Sequence, residues 1–311
     1  MGAQVDRSVT VIMSIYQPSR DYLAQQLESI AAQDYGQLDV MVRNDCPDSE
    51  DLGDFCREHC PGIELTYVHG SKNLGYARGF QRLVQLAAPS CDVLALCDQD
   101  DLWLPTRVSH GIAPIEDGAL LSACDYAIID EEGTVTVPSW RAAHPKDPAC
   151  RWHTGDRFVA ESIFTAFSPG MAMMVRSDVA RGLLPFSTAT GHDKWLMTGA
   201  NIQGTCAFVD EPLVRYRRHG HNVSGVLTGV SCKQDWYDTR VADNLRFAED
   251  AKTRFPSCTE LDEALAFARA RQARDLAGIW RHRHLAPQVA RFEMALKLTP
   301  DPLFKLALGR R

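Results

Sequence analysis

One stretch limits what this chain can fold into more than any other: Cys91-Asp-Val-Leu-Ala-Leu-Cys-Asp-Gln-Asp-Asp-Leu-Trp-Leu-Pro105. Residues 93–97 are apolar at every position, which suits a strand covered on both faces, as in a parallel sheet packed between helix layers. The run stops abruptly at three carboxylates, Asp98, Asp100 and Asp101. In open sheets of this kind ligands bind beyond the carboxyl ends of the strands, where this acidic cluster falls. Acids packed so densely repel one another unless a positive charge sits among them. A divalent cation that prefers hard oxygen ligands, Mg²⁺ or Mn²⁺, supplies that charge. The alternative is a solvated acidic turn ahead of a helix opened near Pro105.

The sequence before this stretch repeats one rhythm. Residues 9–15 form a β-rich apolar run, followed by a helical pattern at Leu23, Leu27, Ile30 and Ala31. Leu38 to Val42 reads as a second strand with a helix through about Glu58, and Ile63 to Val68 as a third with a helix through Leu83, Val84 and Leu86. Strands alternating with helices imply βαβ units, right-handed crossovers and a parallel sheet. All these strand ends then face the crevice that holds Asp98. The third strand runs into Gly70-Ser-Lys-Asn-Leu-Gly-Tyr-Ala-Arg-Gly79, where Gly75 and Gly79 allow close backbone approach to a phosphate and Lys72 or Arg78 can neutralise one. The spacing is neither a Walker motif nor Gly-x-Gly-x-x-Gly, which disfavours a P-loop or dinucleotide enzyme.

After Pro105 the pattern changes. A strand pair is expected over Ala119 to Ile129, a polar substrate-facing or surface loop with Trp140 and Trp152 over residues 133–157, and a strand over Phe167 to Val175. Gly191-His-Asp-Lys-Trp195 starts a helix with an acid in its first turn, and two short strands follow, Cys206 to Val209 and Pro212 to Tyr216. Trp103 and Trp195 read as packing residues. Beyond residue 230 strand signals vanish, and Leu261, Leu265, Ala268, Leu276, Ile279 and Trp280 keep helical spacing. The expected division is a catalytic domain over 1–228 and a helical extension over 229–311.

Charge narrows the partners. A formal net charge of -7 argues against a general nucleic-acid binder, which needs clustered Lys and Arg. Residues 236–311 run the other way, with 14 Lys plus Arg against 10 Asp plus Glu. Leu303 to Arg311 suits either an anionic membrane surface or packing on the catalytic domain or a second subunit, the preferred reading. No apolar run reaches the roughly 18 residues a bilayer span requires, and the N-terminus lacks a signal peptide's basic start and apolar core. A cytoplasmic location is expected, with peripheral contact at the inner face of the membrane as an option. The ten cysteines then read as reduced thiols, and the spacing of Cys46, Cys56, His59 and Cys60 fits no standard zinc signature. Asn222-Val-Ser224 matches a glycosylation acceptor, which has meaning only for a secreted chain.

Five motifs in order carry a resemblance. They are Ser14-Ile-Tyr-Gln with Tyr22-Leu, Leu27-Glu-Ser-Ile and Gln33; Asn73-Leu-Gly with Arg78-Gly; Asp98-Gln-Asp-Asp-Leu-Trp103; His192-Asp-Lys-Trp; and Tyr216-Arg-Arg-His-Gly-His-Asn222. Over residues 8–225 the chain resembles the family 2 inverting glycosyltransferases, especially their rhamnosyltransferase-like bacterial branch. The resemblance implies a GT-A fold: α/β, a Rossmann-like mixed but mostly parallel sheet flanked by helices, here with a C-terminal helical appendage.

It also implies roles. Asp98 and Asp100 would hold Mg²⁺ or Mn²⁺ against the diphosphate of a nucleotide-sugar donor, with Asp101 in support and His219, or less readily His221, completing the metal shell. Asp193 matches the general base that deprotonates the acceptor hydroxyl. Asp45 falls where the family places an acid near the nucleobase, although Asn44 replaces the usual first acid beside it. Asn73, Gly75 and Arg78 line the donor side. The implied reaction transfers a sugar, with rhamnose from dTDP-rhamnose preferred, to a hydroxyl of a glycan or lipid-linked acceptor in bacterial surface polysaccharide synthesis. Two alternatives are a noncatalytic nucleotide-sugar-binding protein and a sugar nucleotidyltransferase. Retention of Asp98, Asp100, Asp193 and His219 together disfavours the first. The second wants a Gly-rich basic loop after the first strand, where this chain has Tyr16-Gln-Pro-Ser-Arg20.

Overall fold

The computed structural model describes residues 7–220, 230–301 and 304, so His221, the Asn222 acceptor motif and most of the Leu303 to Arg311 stretch lie outside the described residues. The chain divides into two compact units. The first takes in residues 1–157, 167–186 and 191–220, and the second residues 158–166, 187–190 and 221–311.

The first unit begins with the expected rhythm. Strand β1 (Val9–Ile15), helix α1 (Arg20–Ala31), β2 (Leu38–Asn44), α2 (Gly53–Glu58), β3 (Glu64–His69), α3 (Tyr76–Leu86) and β4 (Val93–Cys97) follow in order. β1, β2 and β3 pair in parallel, and β4 lies parallel to β1 with Met13 opposite Cys97. Every residue of β4 is buried, as its unbroken apolar run requires. Helix α1 shows why such sequences settle as they do. Ser19 accepts the N–H of Tyr22 as its cap, and Leu23, Leu27 and Ile30, spaced three and four apart, are buried on one face.

Beyond β4 the sheet becomes mixed. The order is β3-β2-β1-β4-β8-β6-β9-β5, with β7 added at β6. These strands are β5 (Leu102–Trp103), β6 (Leu121–Ile129), β7 (Val135–Val137), β8 (Met173–Arg176) and β9 (Cys206–Arg217). The intervening helices are α4 (Arg107–Glu116), α5 (Trp140–Ala143), α6 (Val159–Ser162, in the second unit), α7 (Ser177–Gly182) and α8 (His192–Gln203). β8 runs antiparallel to both β4 and β6, whereas β9 runs parallel to β6.

Three local expectations are corrected. The 119–129 region gives one long strand, β6 (Leu121–Ile129), and not a pair. The two short strands over 206–216 are a single strand, β9, whose pairing with β6 shifts register beside Cys124 and Asp125, so that Pro212 is absorbed in a bulge instead of ending the strand. The 133–157 segment carries β7, α5 and a 3₁₀ turn at Pro148–Cys150. Trp152 is buried with its indole N–H donated to Phe167 O at 3.0 Å, which makes it a packing residue.

The second unit is helical: α9 (Lys233–Trp236), a π-helical turn (Tyr237–Val241), then α10 (Ala242–Arg254), α11 (Glu260–Gln272), α12 (Leu276–Arg281) and α13 (Pro287–Leu298), as the loss of strand signals beyond residue 230 requires. At its centre Arg271 and Glu293 form a fully buried ion pair at 2.8 Å. Trp236 Nε1 also donates to Glu293, and Arg271 donates to Asn244 Oδ1. The pair is thus satisfied on both sides, the condition under which charge tolerates burial.

Candidate active site

Because β1, β2, β3 and β4 are parallel, their carboxyl ends lie together, and Asp98 leaves the sheet there directly after β4. The next residues are held by three devices. Gln99 turns back to β1, accepting the N–H of Tyr16 at 2.8 Å and donating to its carbonyl. β5 then pairs antiparallel with β9, Leu102 opposite Arg215, which brings the end of β9 beside the acidic turn. Helix α1 and its C-terminal exit catch the outgoing chain: Ser29 Oγ accepts the N–H of Trp103 at 3.0 Å, and Gln33, just past the helix, bridges Leu104 O and Val108 N.

Arg217, at the end of β9, pins the turn from below. Its backbone N–H donates to Asp101 Oδ1 at 3.0 Å, and its buried guanidinium donates to Asp100 O, Asp130 O, Glu131 O and Gln25 Oε1 while lying 4.3 Å over the Tyr22 ring. Two residues on, His219 Nε2 sits 2.9 Å from Asp100 Oδ2. The carboxylates therefore separate by environment. Asp101 is fully buried, turned toward Arg217, with its Oδ2 unpartnered among the described residues. Asp98 and Asp100 remain half-buried.

Burial pushes the Asp98 carboxyl up, to about 7, with repulsion from Asp100 and Asp193 adding to it. Asp101 is pushed well above the usual carboxylate range by burial and by Asp98 and Asp100, against the opposing pull of Arg217. Among the described residues no three His, Cys, Asp or Glu side chains stand in a metal-holding arrangement. Still, the mutual repulsion of these carboxylates is what a hard cation relieves. Two carboxylates are also a sufficient protein contribution for an ion that takes its other oxygens from phosphates and water. The donor chemistry fits Mg²⁺ or Mn²⁺ at Asp98 and Asp100, and Asp101 faces the protein interior.

Asp193 stands in the first turn of α8, half-buried, where the helix dipole favours a carboxylate; its Oδ1 accepts the N–H of Lys194 at 2.8 Å. It lies close enough to Asp98 for its charge to raise that group. His192, beside it, is buried against Phe80 of α3, with ring centroids 3.9 Å apart. Burial brings its imidazole down to about 4, so the ring is neutral at physiological pH.

On the β2 side, Asp45 is buried. Its carboxylate pairs with Arg43 and accepts backbone N–H groups from Leu74 (2.9 Å) and Gly75 (2.8 Å). Both oxygens are thereby engaged within the protein, holding the loop of Asn73-Leu-Gly75. Gly75, with φ of +75°, closes that loop onto α3, and Asn73 Oδ1 also accepts its N–H. Arg78 is exposed on the first turn of α3. Asn44, buried, donates to Tyr67 OH and Ser49 and accepts the N–H of Cys46, so it shapes the β2 exit.

Other candidates fall away from this centre. Trp103 and Trp195 are buried, the latter donating to Leu183 O. All ten cysteines are free; burial pushes Cys56 and Cys60 up to about 12 and about 11, and His59 bonds Glu28. A cavity of about 630 Å³ is lined by His110, Asp117, Phe208 and Glu211. It adjoins the start of β9, level with the beginning of β4, the end of the sheet away from Asp98. Sequence reading passed over Arg217 and Gln99, although both lie inside motifs it singled out, because their partners are 83 to 192 residues distant in sequence.

Residues 10–182 match the family model for glycosyl transferase family 2. A 147-residue segment is 29% identical to WcaA, a candidate colanic acid biosynthesis glycosyl transferase of Escherichia coli K12, covering 45% of this chain and 51% of that one. The uncharacterized glycosyltransferase MJ1057 of Methanocaldococcus jannaschii is 25% identical over 140 residues, 43% of this chain and 47% of its own. The match thus spans about half the length of these curated relatives. Among solved structures, S. aureus TarS 1–349 in complex with UDP-GlcNAc aligns with a TM-score of 0.60 at 14% identity, over 92% of this chain and 88% of that one. The mannosyltransferase PcManGT of Pyrobaculum calidifontis, solved with GDP-Man and Mn²⁺, aligns with a TM-score of 0.57 at 18% identity over 98% and 80%. The mixed sheet with flanking and C-terminal helices is that of the GT-A fold. With the family model matched over more than half of its residues, this chain belongs to glycosyl transferase family 2.

Proposed function

We propose that the chain is an inverting glycosyltransferase that moves a sugar from a nucleotide-sugar donor to a hydroxyl acceptor. One observation carries this reading most: Asp193, in the first turn of α8, stands near enough to Asp98 for its charge to help raise that carboxyl. A lone base beside a paired-carboxylate site is the arrangement a single displacement needs.

Asp193 accepts the proton of the acceptor hydroxyl as its oxygen attacks the anomeric carbon, and the bond from that carbon to the diphosphate breaks on the opposite face. Asp98 and Asp100 are the residues that would hold Mg²⁺ or Mn²⁺, and His219, already on Asp100, orients that carboxylate. Such a cation supplies electrostatic stabilisation of the departing charge. Asp101 and Arg217 keep the turn in shape. Arg78 and the Asn73-Leu-Gly75 loop face the donor, and Asp45 acts by holding that loop. The complexes of TarS with UDP-GlcNAc and of PcManGT with GDP-Man and Mn²⁺ support a nucleotide-sugar donor and a divalent ion.

Rhamnose from dTDP-rhamnose is the preferred donor and a surface glycan or its lipid-linked precursor the preferred acceptor, at the cytoplasmic face of a membrane. No helix among the described residues is long and apolar enough to cross a membrane. The test is a panel of nucleotide sugars titrated into the full chain with and without Mn²⁺, with nucleoside diphosphate release measured. Mn²⁺-dependent binding of one donor with slow diphosphate release is expected. Binding without any turnover on supplied acceptors would favour the noncatalytic alternative, and pyrophosphate release from a nucleoside triphosphate would favour the nucleotidyltransferase.

A further inference from the structure

His192 is an unusual residue to bury. It is only 6% exposed, and neither ring nitrogen has a hydrogen-bond partner among the described residues. An unsatisfied buried polar group is destabilising, a cost that an apolar ring of similar shape would avoid. The ring is instead gripped by packing. It stacks on Phe80 with planes 20° apart, and Tyr76 meets it edge-on at 6.0 Å. On another side it rests on Gly170, in the 3₁₀ turn Gly170–Ala172 that leads into β8, where a Cβ would lie only 2.7 Å from His192 Nε2 and 3.7 Å from Asp193 Cβ. β8 in turn pairs with β4, the strand that presents Asp98.

A continuous path therefore runs from one carboxylate to the other: Asp98, β4, β8, Gly170, His192, Asp193. Resting on the assignment of Asp193 as the base, we propose that His192, seated between Phe80 and Gly170, is a positioning residue that fixes the Asp193 carboxylate relative to the donor site at Asp98. Gly170 is required because the absence of a Cβ lets the first turn of α8 approach the turn before β8. A neutral imidazole suits this task, since a cation beside the base would weaken it, and the ring's burial keeps it neutral.

The experiment is a double-mutant cycle in the full chain, with transfer kinetics and donor binding measured for Gly170→Ala, His192→Ala and the pair. A methyl at residue 170 displaces the clamped ring, and misplacement of a catalytic group by about 1 Å can cost on the order of 10²-fold in rate. Gly170→Ala should lower kcat at least about tenfold while donor Kd changes less than about twofold, because the loss is one of position and not of donor binding. His192→Ala should do the same, and adding Gly170→Ala to it should have little further effect, the methyl then having no ring to meet. Multiplicative losses in the pair, an unchanged kcat in Gly170→Ala, or a parallel loss of donor binding would each overturn the proposal. If Asp193→Asn in the same assay kept full activity, the base assignment itself would fail, a distinct outcome.

Discussion

Arg217 offers the sharpest structural prediction. Its guanidinium is buried, donates to three backbone carbonyls and to Gln25 Oε1, and covers the Tyr22 ring at 4.3 Å. Removing it by Arg217→Ala leaves four acceptors, at Asp100, Asp130, Glu131 and Gln25, without this donor. Hydrogen bonds to charged groups contribute about 1.5–3 kcal/mol each, and they are not additive when shared by one side chain. A net loss of about 3–5 kcal/mol is the reasonable sum, comparable to truncating one partner of a buried ionic network. At roughly 2–4 °C per kcal/mol for a domain of this size, Tm should fall by about 6–20 °C. The acidic turn should loosen with it, so donor affinity should fall as well. Arg217→Lys keeps the charge but loses the planar fork, and should land between the two. Calorimetry and donor titration measure both effects. A Tm within about 2 °C of the parent for Arg217→Ala would refute the reasoning, since a fall of about 1 kcal/mol or more would already exceed it.

Two further perturbations follow from buried groups. His192 has a folded-state pKa of about 4 against an ordinary value near 6.5, so its neutral burial contributes stability above pH 6.5 that is lost as pH falls toward 4; the shift corresponds to about 3 kcal/mol. His192→Gln, which does not titrate, should therefore show a smaller drop in Tm between pH 7 and pH 4.5 than the parent, and an identical drop would contradict the assignment. In the second unit, Glu293→Gln leaves the buried Arg271 without its countercharge and should destabilise by about 3–5 kcal/mol in urea unfolding. A change below about 1 kcal/mol would mean that Asn244 and the rings of Phe164 and Phe267 suffice to hold that cation.

Much of this was legible in the sequence where the determinants are local. Val93 to Cys97 reads as a doubly covered strand because all five residues are apolar, and all five are buried. The apolar spacing of α1 and the turn residues after β2 likewise carry their own information. What depended on distant pairing did not read through. Asp210-Glu211-Pro212 looks like a break between strands, but β6 supplies a partner on both sides and a shifted register absorbs the proline. Residues 158–166 and 187–190 interrupt the first unit in sequence yet cluster with the helical second unit. In the site, the acids themselves were visible as residue types, but their division of labour was not. Asp101 is turned inward by an N–H 116 residues away, and Asp45 is engaged by N–H groups about 30 residues away. Neither fact has a local signature.

In the proposed reaction Asp193 acts as a base toward the acceptor, with Asp98 and Asp100 on the donor side. Asp193→Asn separates these roles in one protein, because the amide is nearly isosteric and cannot take the proton. With a donor identified from the nucleotide-sugar panel, transfer by Asp193→Asn should fall by about 10²–10⁴, the usual contribution of a general base, while Mn²⁺-dependent donor Kd stays within about twofold of the parent. Transfer at the parent rate in a variant that binds donor normally would contradict the central claim.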